Sequence, residues 1–340
     1  MLYYVLGELQ YFMSAWPLFG RPIPYLNYAY EAMNMIHVFI INSHAGKTKF
    51  SAGLRRHLSS KYSNLEYYIF HTRKKWDERK LIQEIIELFG NEKLRIYCCG
   101  GSGTISNAIY GIEDFSNLEF AFYPKGFTND FLKCFGKDEQ YFNDIDELIE
   151  GQVINIDYIK TNHGNCLNTF SLGLDSEQIT RMDQFRDMSV LGKNMPYALG
   201  FAYAVLFAKS ADLEIEIEGE KKIIGKSSEV FFGNGGVIGG ALWFDPQPCV
   251  TDGMGKLVIF NNVKKLKMVM TLLQLSRKEK TDPQIVKYDG YVKSVSIKRR
   301  DGTSLRVDFD GELQEDQRDW TATVVSGGLP FVVPKGVSFE

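Results

Sequence analysis

The chain has 340 residues, 44% of them hydrophobic and 24% charged, a globular composition long enough for two domains. Its formal net charge of -3 argues against a general nucleic-acid binder, and no run approaches the ~18 uninterrupted apolar residues of a membrane-spanning helix. The five cysteines show no paired CxxC spacing, and Cys98 and Cys99 sit in an apolar run, which reads as reduced, buried thiols rather than a disulfide framework.

Residues 1–34 are rich in Tyr, Phe and Trp and carry only Glu8, Arg21 and Glu31 as charges. They lack the basic start and apolar stretch of a signal peptide. Met35 stands directly before a clean strand at 36–41, so the functional domain is expected to begin there. The upstream part reads as an interaction arm or as the product of a misassigned start codon. The first strand ends in Asn42-Ser43-His44-Ala45-Gly46-Lys47-Thr48. A Walker A loop needs a glycine five positions before its Gly-Lys pair, and Ile41 stands there. What remains is a strand-to-turn loop with Asn42, Ser43 and Lys47 near phosphates, or a plain surface turn.

A helix at 50–59, a strand at 65–70 and a helix N-capped by Asp77 follow. Leu81, Ile82, Ile85, Ile86 and Phe89 recur at helical spacing until Gly90. A strand at 94–99 then runs into Gly100-Gly101-Ser102-Gly103-Thr104, and a helix-compatible segment continues to Tyr110. Such alternation predicts a parallel sheet covered on both faces, with ligands at the C-terminal strand ends. Glycines let the backbone approach an anion, and the amides opening the next helix point at it. A fourth strand at 120–123 ends in a second polar turn, Pro124 to Asp130, in which Asn129-Asp130 lies near phosphates or caps a helix at 131–135.

From about residue 152 strands follow one another: 153–159, 168–174, 213–217, 228–233, 257–260 and 322–325, with helical stretches at 196–209 and 263–275. Leu213, Ile215 and Ile217 alternate with Glu214, Glu216 and Glu218, the mark of a strand with one wet face. Residues 292–299 and 304–309 flank Asp301-Gly302 as a hairpin. Alternation of Leu305, Val307 and Phe309 against Arg306, Asp308 and Asp310 places Asp310-Gly311-Glu312 at the strand's end with both carboxylates free of the core. This texture predicts an antiparallel β-domain. The five histidines lack metal spacing and read as structural or surface groups.

The order of these features carries a resemblance: the Asn42 turn, Gly100-Gly101-Ser102-Gly103-Thr104, Pro124-x-Gly126-x-x-Asn129-Asp130, Gly173-Leu174-Asp175, the Asn234 strand with Gly239-Gly240, Pro248-x-x-x-Asp252-Gly253, and Asp310-Gly311-Glu312. No single motif decides it, but together they resemble the diacylglycerol kinase catalytic-domain family, its bacterial lipid kinases above all, with sphingosine and NAD kinases more distant. The resemblance implies an α/β nucleotide-binding domain with a parallel sheet at 35–151, an antiparallel β-sandwich domain at 152–340 and an active-site cleft between them. It implies transfer of the γ-phosphoryl group of ATP to a lipid hydroxyl with Mg2+. ATP would rest on Asn42, Ser43, Lys47, Gly100, Gly101, Ser102, Gly103, Thr104, Gly126, Asn129 and Asp130. Asp310 would take the proton of the attacking hydroxyl, Glu312 would help place nucleotide or metal, and Asp252 would mark a structural Mg2+ site. A cytoplasmic protein with transient peripheral membrane contact, as a monomer or homodimer, fits the same picture.

The match departs from the family pattern at three places. The family's Gly-Gly-Asp-Gly-Thr has Ser102 in place of its aspartate, the following Asn-Glu pair is Ser106-Asn107, and Phe127 replaces a threonine in the second turn. A serine brings no charge to organise cations around a triphosphate, a loss on the order of a hundredfold or more in rate. Three readings follow: an active lipid kinase that tolerates Ser102, a pseudokinase that binds nucleotide or lipid, and an enzyme of NAD kinase type. The late motifs match the lipid kinases better than the third.

Overall fold

The computed structural model describes residues 35–42, 49–126, 129–173, 210–314 and 316–337. Ser43, Lys47, Phe127, Leu174-Asp175, the stretch 196–209 and the arm 1–34 lie outside the described residues. Four parallel strands build the first layer in the order β2-β1-β3-β4: β1 (Ile36–Ile41), β2 (Tyr67–His71), β3 (Leu94–Gly100) and β4 (Leu118–Pro124). Every residue of β1 is buried, as a strand covered on both faces requires. Helices α1 (Lys49–Lys61), α2 (Asp77–Phe89) and α3 (Ser102–Ile109) complete the core with Leu54, Leu58, Ile82, Ile85, Ile105 and Ile109.

Asp77 opens α2 rather than capping it. The cap position is Trp76, in the left-handed region at φ 64, and Asp77 accepts from the backbone amide of Arg73 at 2.8 Å. A carboxylate in the first turn still suits the helix dipole.

Beyond β4 come a 3-10 helical stretch (Asp130–Asn143) and α4 (Ile145–Ile149), then mainly strands: β5 (Gln152–Thr161), β6 (Gly164–Cys166), β7 (Thr169–Gly173), β8 (Ala211–Ile217), β9 (Lys221–Gly233), β10 (Val237–Ile238), β11 (Leu242–Trp243) and β12 (Gly255–Asn261). The helix α5 (Lys265–Ser276) precedes β13 (Val286–Val292), β14 (Ser294–Arg299), β15 (Asp308–Phe309), β16 (Glu312–Leu313) and β17 (Asp319–Val333). One mixed sheet runs β16-β15-β7-β9-β8-β14-β17-β4-β3-β1-β2, antiparallel until β17 meets β4, where pairing becomes parallel. β17 joins the two lobes. Its Trp320, Ala322 and Val324 sit in the core of the antiparallel part, and its Leu329, Phe331 and Val333 in the core of the parallel part.

The hairpin expected around Asp301-Gly302 does not form as a strand pair. β14 lies between β8 and β17, so both of its edges are taken. The return segment leaves it, touches Gln317 through a single bridge at Leu305, and places β15 against β7 and β16. Cys98, Cys99 and Cys166 are buried free thiols, which burial pushes up, while Cys249 is exposed. Among the described residues no helix is long and apolar enough to cross a membrane, and no group of three His, Cys, Asp or Glu is placed to hold a metal.

Candidate active site

The glycine turn stands at the C-terminal end of β3. Gly101 is the extended cap residue of α3, and the Gly100 carbonyl accepts from the amides of Lys125 (2.7 Å) and Gly126 (2.9 Å), which ties the first turn to the second. The approach leaves no room for a side chain at Gly126, where a Cβ would lie 2.2 Å from the Gly101 Cα. Ser102 joins the two turns a second time. It is buried, and its Oγ accepts from the Asp130 amide at 3.0 Å, so it caps the 3-10 stretch from outside it while Asn129 makes no side-chain cap. The Thr104 hydroxyl accepts from Asn42 Nδ2 at 3.0 Å; the same Asn42 group lies 3.2 Å from Glu78 Oε1.

The chain reversal after β15 closes over this turn. Asp310 sits at φ 53 and is buried, contrary to the expectation that it stands free of the core. The reason is the lost hairpin. With β15 reduced to two residues against β7, the left-handed Asp310 turns its carboxylate under the segment 167–169. Its Oδ2 accepts from the Leu167 amide (2.9 Å), its Oδ1 from those of Asn168 (2.9 Å) and Thr169 (2.7 Å), and the Ser106 hydroxyl of α3 supplies a fourth hydrogen bond. Burial pushes the Asp310 carboxyl up, and these donors oppose the shift. These four donors match the acceptor capacity of one carboxylate, and the Cys166 thiol is a further partner. The three amides are fixed by the backbone; the hydroxyl is the one that can rotate away.

Glu312 meets α3 nearer its N-terminus, at Gly103, whereas Asp310 meets Ser106. A Cβ at Gly103 would meet its Oε1 at 2.9 Å, so glycine there admits the carboxylate. Glu312 Oε2 accepts from Trp76 Nε1 (3.2 Å) and pairs with Lys75 Nζ (3.3 Å). Arg79 continues the clasp: it donates to Asn107 Oδ1 (2.7 Å) and Gln314 Oε1 (2.9 Å) and lies 3.5 Å over the Tyr110 ring. The segment 310–314, late in the chain, is thereby fixed to the N-terminal ends of α2 and α3.

Two family models, which together span most of the chain, decide the family. Residues 37–161 match the diacylglycerol kinase catalytic domain, and residues 168–331 match the YegS C-terminal NAD kinase beta sandwich-like domain. The chain belongs to the diacylglycerol kinase catalytic-domain family. A protein of Staphylococcus aureus named diacylglycerol kinase is 27% identical over 221 residues, 64% of this chain and 67% of that protein. Solved structures from Bacillus anthracis share the fold. A diacylglycerol kinase superposes with a TM-score of 0.62 at 16% identity, covering 90% of this chain and 98% of that one. Another chain from that organism gives 0.67 at 20% identity, with 89% and 99% covered.

Among the buried carboxylates of this diacylglycerol kinase family member that escaped the sequence reading are Glu78 and Asp157. Glu78 is almost fully buried, and its carboxyl is raised to about 7, chiefly by burial and further by the neighbouring Glu312 and Asp77. Its signal was present: 78, 82 and 85 share one helix face, so a carboxylate lies on the apolar stripe of Ile82 and Ile85. Asp157 is fully buried in β5 and accepts from the amides of Gly253 (2.6 Å) and Gly327 (2.7 Å). It therefore holds the Asp252-Gly253 turn against β17. Burial raises its carboxyl and the nearby Asp252 adds to the shift. Asp252 itself is exposed and accepts from the Met254 amide at 2.9 Å. Asn234 Nδ2 donates to the carbonyls of Asp157 (2.7 Å) and Leu167 (3.2 Å), which ties this turn to the loop that clamps Asp310.

Proposed function

We propose that the protein transfers the γ-phosphoryl group of ATP to the hydroxyl of a lipid of diacylglycerol type. The observation that carries this reading is the meeting of segment 310–314 with α3 just after a phosphate-type glycine turn, one carboxylate reaching Ser106 and the other lying against Gly103. Phosphoryl transfer asks mainly for positioning and charge neutralisation. In the 35–151 domain the amides of residues 100–104, with Gly126, Asn129 and Asp130, would cradle phosphate oxygens. Asn42 would set the far wall through Thr104, and Ser43 and Lys47 would join it. The 152–340 domain would bring the lipid.

Asp310 is the proton acceptor in this reading. The substrate hydroxyl takes the place of Ser106, and the three fixed amides keep the carboxylate in position while burial makes it the stronger base. Glu312, steered by Lys75 and Trp76, orients the nucleotide side. Mg2+ favours one or two carboxylates with retained waters. Asp252 beside Asp157 fits that donor type, because a dication relieves the repulsion that contributes to raising Asp157. Asp252 and Asp157 would hold such an ion, which would supply fixed positive charge there.

The commitment of the Ser102 hydroxyl to the Asp130 amide favours the second reading, a pseudokinase whose turn is kept for its architecture. Transfer of labelled phosphate from ATP to dioctanoylglycerol in mixed micelles separates the two. Wild type transfers, and Asp310→Asn loses about a thousandfold in rate while still binding ATP, with a lowered melting temperature because its amide nitrogen now faces a backbone N–H of the clamp. Activity in Asp310→Asn above about 10% of wild type removes Asp310 from the proton-accepting role. Absence of transfer by folded wild type supports the pseudokinase.

A further inference from the structure

The helix α5 is apolar on two opposite sides. Met268, Leu272 and Leu275 face inward and pack with Phe231, Phe244 and Phe260. One such stripe is enough to hold a surface helix on its sheet. A second stripe faces out: Leu266, Met270 and Leu273 are 76%, 60% and 51% exposed, and their spacing aligns them along the helix. Both ends of the outward stripe are basic. Lys264, Lys265 and Lys267 stand at the start, Arg277, Lys278 and Lys280 at the end, and Glu279 is the one acid between 264 and 280, in a chain whose net charge is -3.

The leading lysines gather at the start of the helix, whose own first turn holds no acid. Lys267 pairs with Asp282 (2.8 Å), and Lys278 lies 3.5 Å over the Trp243 ring, so part of the basic set is held in place at either end of the stripe. An element with this pattern gains when an anionic apolar surface covers it. A second copy of the chain is a poor occupant, because a two-fold contact would set this basic patch against itself. A bilayer is a good one: leucine and methionine enter the acyl boundary while lysines reach outward to headgroups.

We propose that the outward face of α5 docks on an anionic phospholipid bilayer, with Leu266, Met270 and Leu273 in the acyl boundary and the lysines at either end on the headgroups. The proposal deepens the lipid-kinase reading and rests on it for its purpose. Packing links the helix to the second turn. α5 shares its core with Ile238 and Phe244, which flank the turn at Gly239-Gly240, and a Cβ at Gly240 would lie 3.8 Å from Asp130 Oδ1 in the second phosphate turn. Docking helix and cleft rim thus belong to one packed layer.

Sedimentation of the full chain with sucrose-loaded vesicles tests this. Wild type is expected to bind vesicles containing phosphatidylglycerol at least about tenfold more strongly than pure phosphatidylcholine, and to release them in about 1 M salt, where the Debye length is about 3 Å. Leu266→Ser/Met270→Ser/Leu273→Ser and, separately, Lys264→Glu/Lys265→Glu should each lower partitioning by about tenfold or more. Both variants should keep the wild-type circular dichroism spectrum, melting temperature and transfer to monomeric short-chain diacylglycerol. Equal vesicle binding by wild type and variants overturns the proposal. So does an absence of vesicle binding, whether the face then proves to mediate self-association, removed by the Ser variant, or to bind an acidic protein. If no protein transfers phosphate to the monomeric lipid, the kinase reading falls while the vesicle comparison still decides the docking.

Discussion

Replacing Glu78 by Gln should stabilise the protein at alkaline pH and leave it unchanged at acid pH. The carboxyl is raised from 4.5 to about 7 in the folded chain, first by burial, then by Glu312 and Asp77. Between those values the folded chain keeps a proton that the unfolded chain has lost. Stability therefore falls as pH rises through this window, and the full cost is present above about pH 7. The shift corresponds to about 3 kcal/mol at 1.36 kcal/mol per unit. Gln keeps an amide oxygen for Asn42 Nδ2, now 3.2 Å from Glu78 Oε1, and brings no charge. Thermal melting of wild type and Glu78→Gln, followed by the fluorescence of Trp76 and its fellow tryptophans, should diverge by several degrees at pH 8 and converge near pH 5. Groups common to both proteins cancel in that difference. A divergence of the same size at both pH values, or a less stable variant at pH 8, refutes the reasoning. A second readout connects the group to the nucleotide: in Mg2+-free buffer ATP affinity of wild type should weaken from pH 6 to pH 8, as Glu78 charges beside the phosphates, and that of Glu78→Gln should not.

Ser102→Asp restores the charge of the family turn while keeping an acceptor for the Asp130 amide; lipid kinase turnover should rise by about tenfold or more, and unchanged turnover in a measurably active protein means the site is built around serine. Gly126→Ala places a methyl group 2.2 Å from the Gly101 Cα and forces the two turns apart. Melting should drop by an amount equivalent to about 1–3 kcal/mol and ATP titration should show weakened binding, whereas an unchanged titration removes the coupled turns from the nucleotide site.

The parallel layer was legible because its strands are apolar on both faces and its helices carry a single stripe, so periodicity alone separates them. The glycine turn was legible because close backbone approach leaves only one residue type in place. Asp310 was located by its motif, but its surroundings were read wrongly for a physical reason. Alternation from 305 to 310 describes a strand only if a partner edge is open, and which edges are open is a property of the whole sheet. β14 has both edges filled by β8 and β17, whose pairing segments lie at 213–217 and 319–323, and no local pattern records that. The segment then has to find its hydrogen bonds elsewhere, and the left-handed turn at Asp310 supplies them through the amides at 167–169. The same cause explains why Ser106 looked like a lost asparagine and proves to be the partner of the carboxylate. The residue at 106 is defined by what reaches α3 from the far end of the chain. A site assembled in this way depends on β17, which carries the late strands back to β4, so changes at the Phe331–Phe120 contact should disturb the position of Asp310 through the sheet rather than through the site.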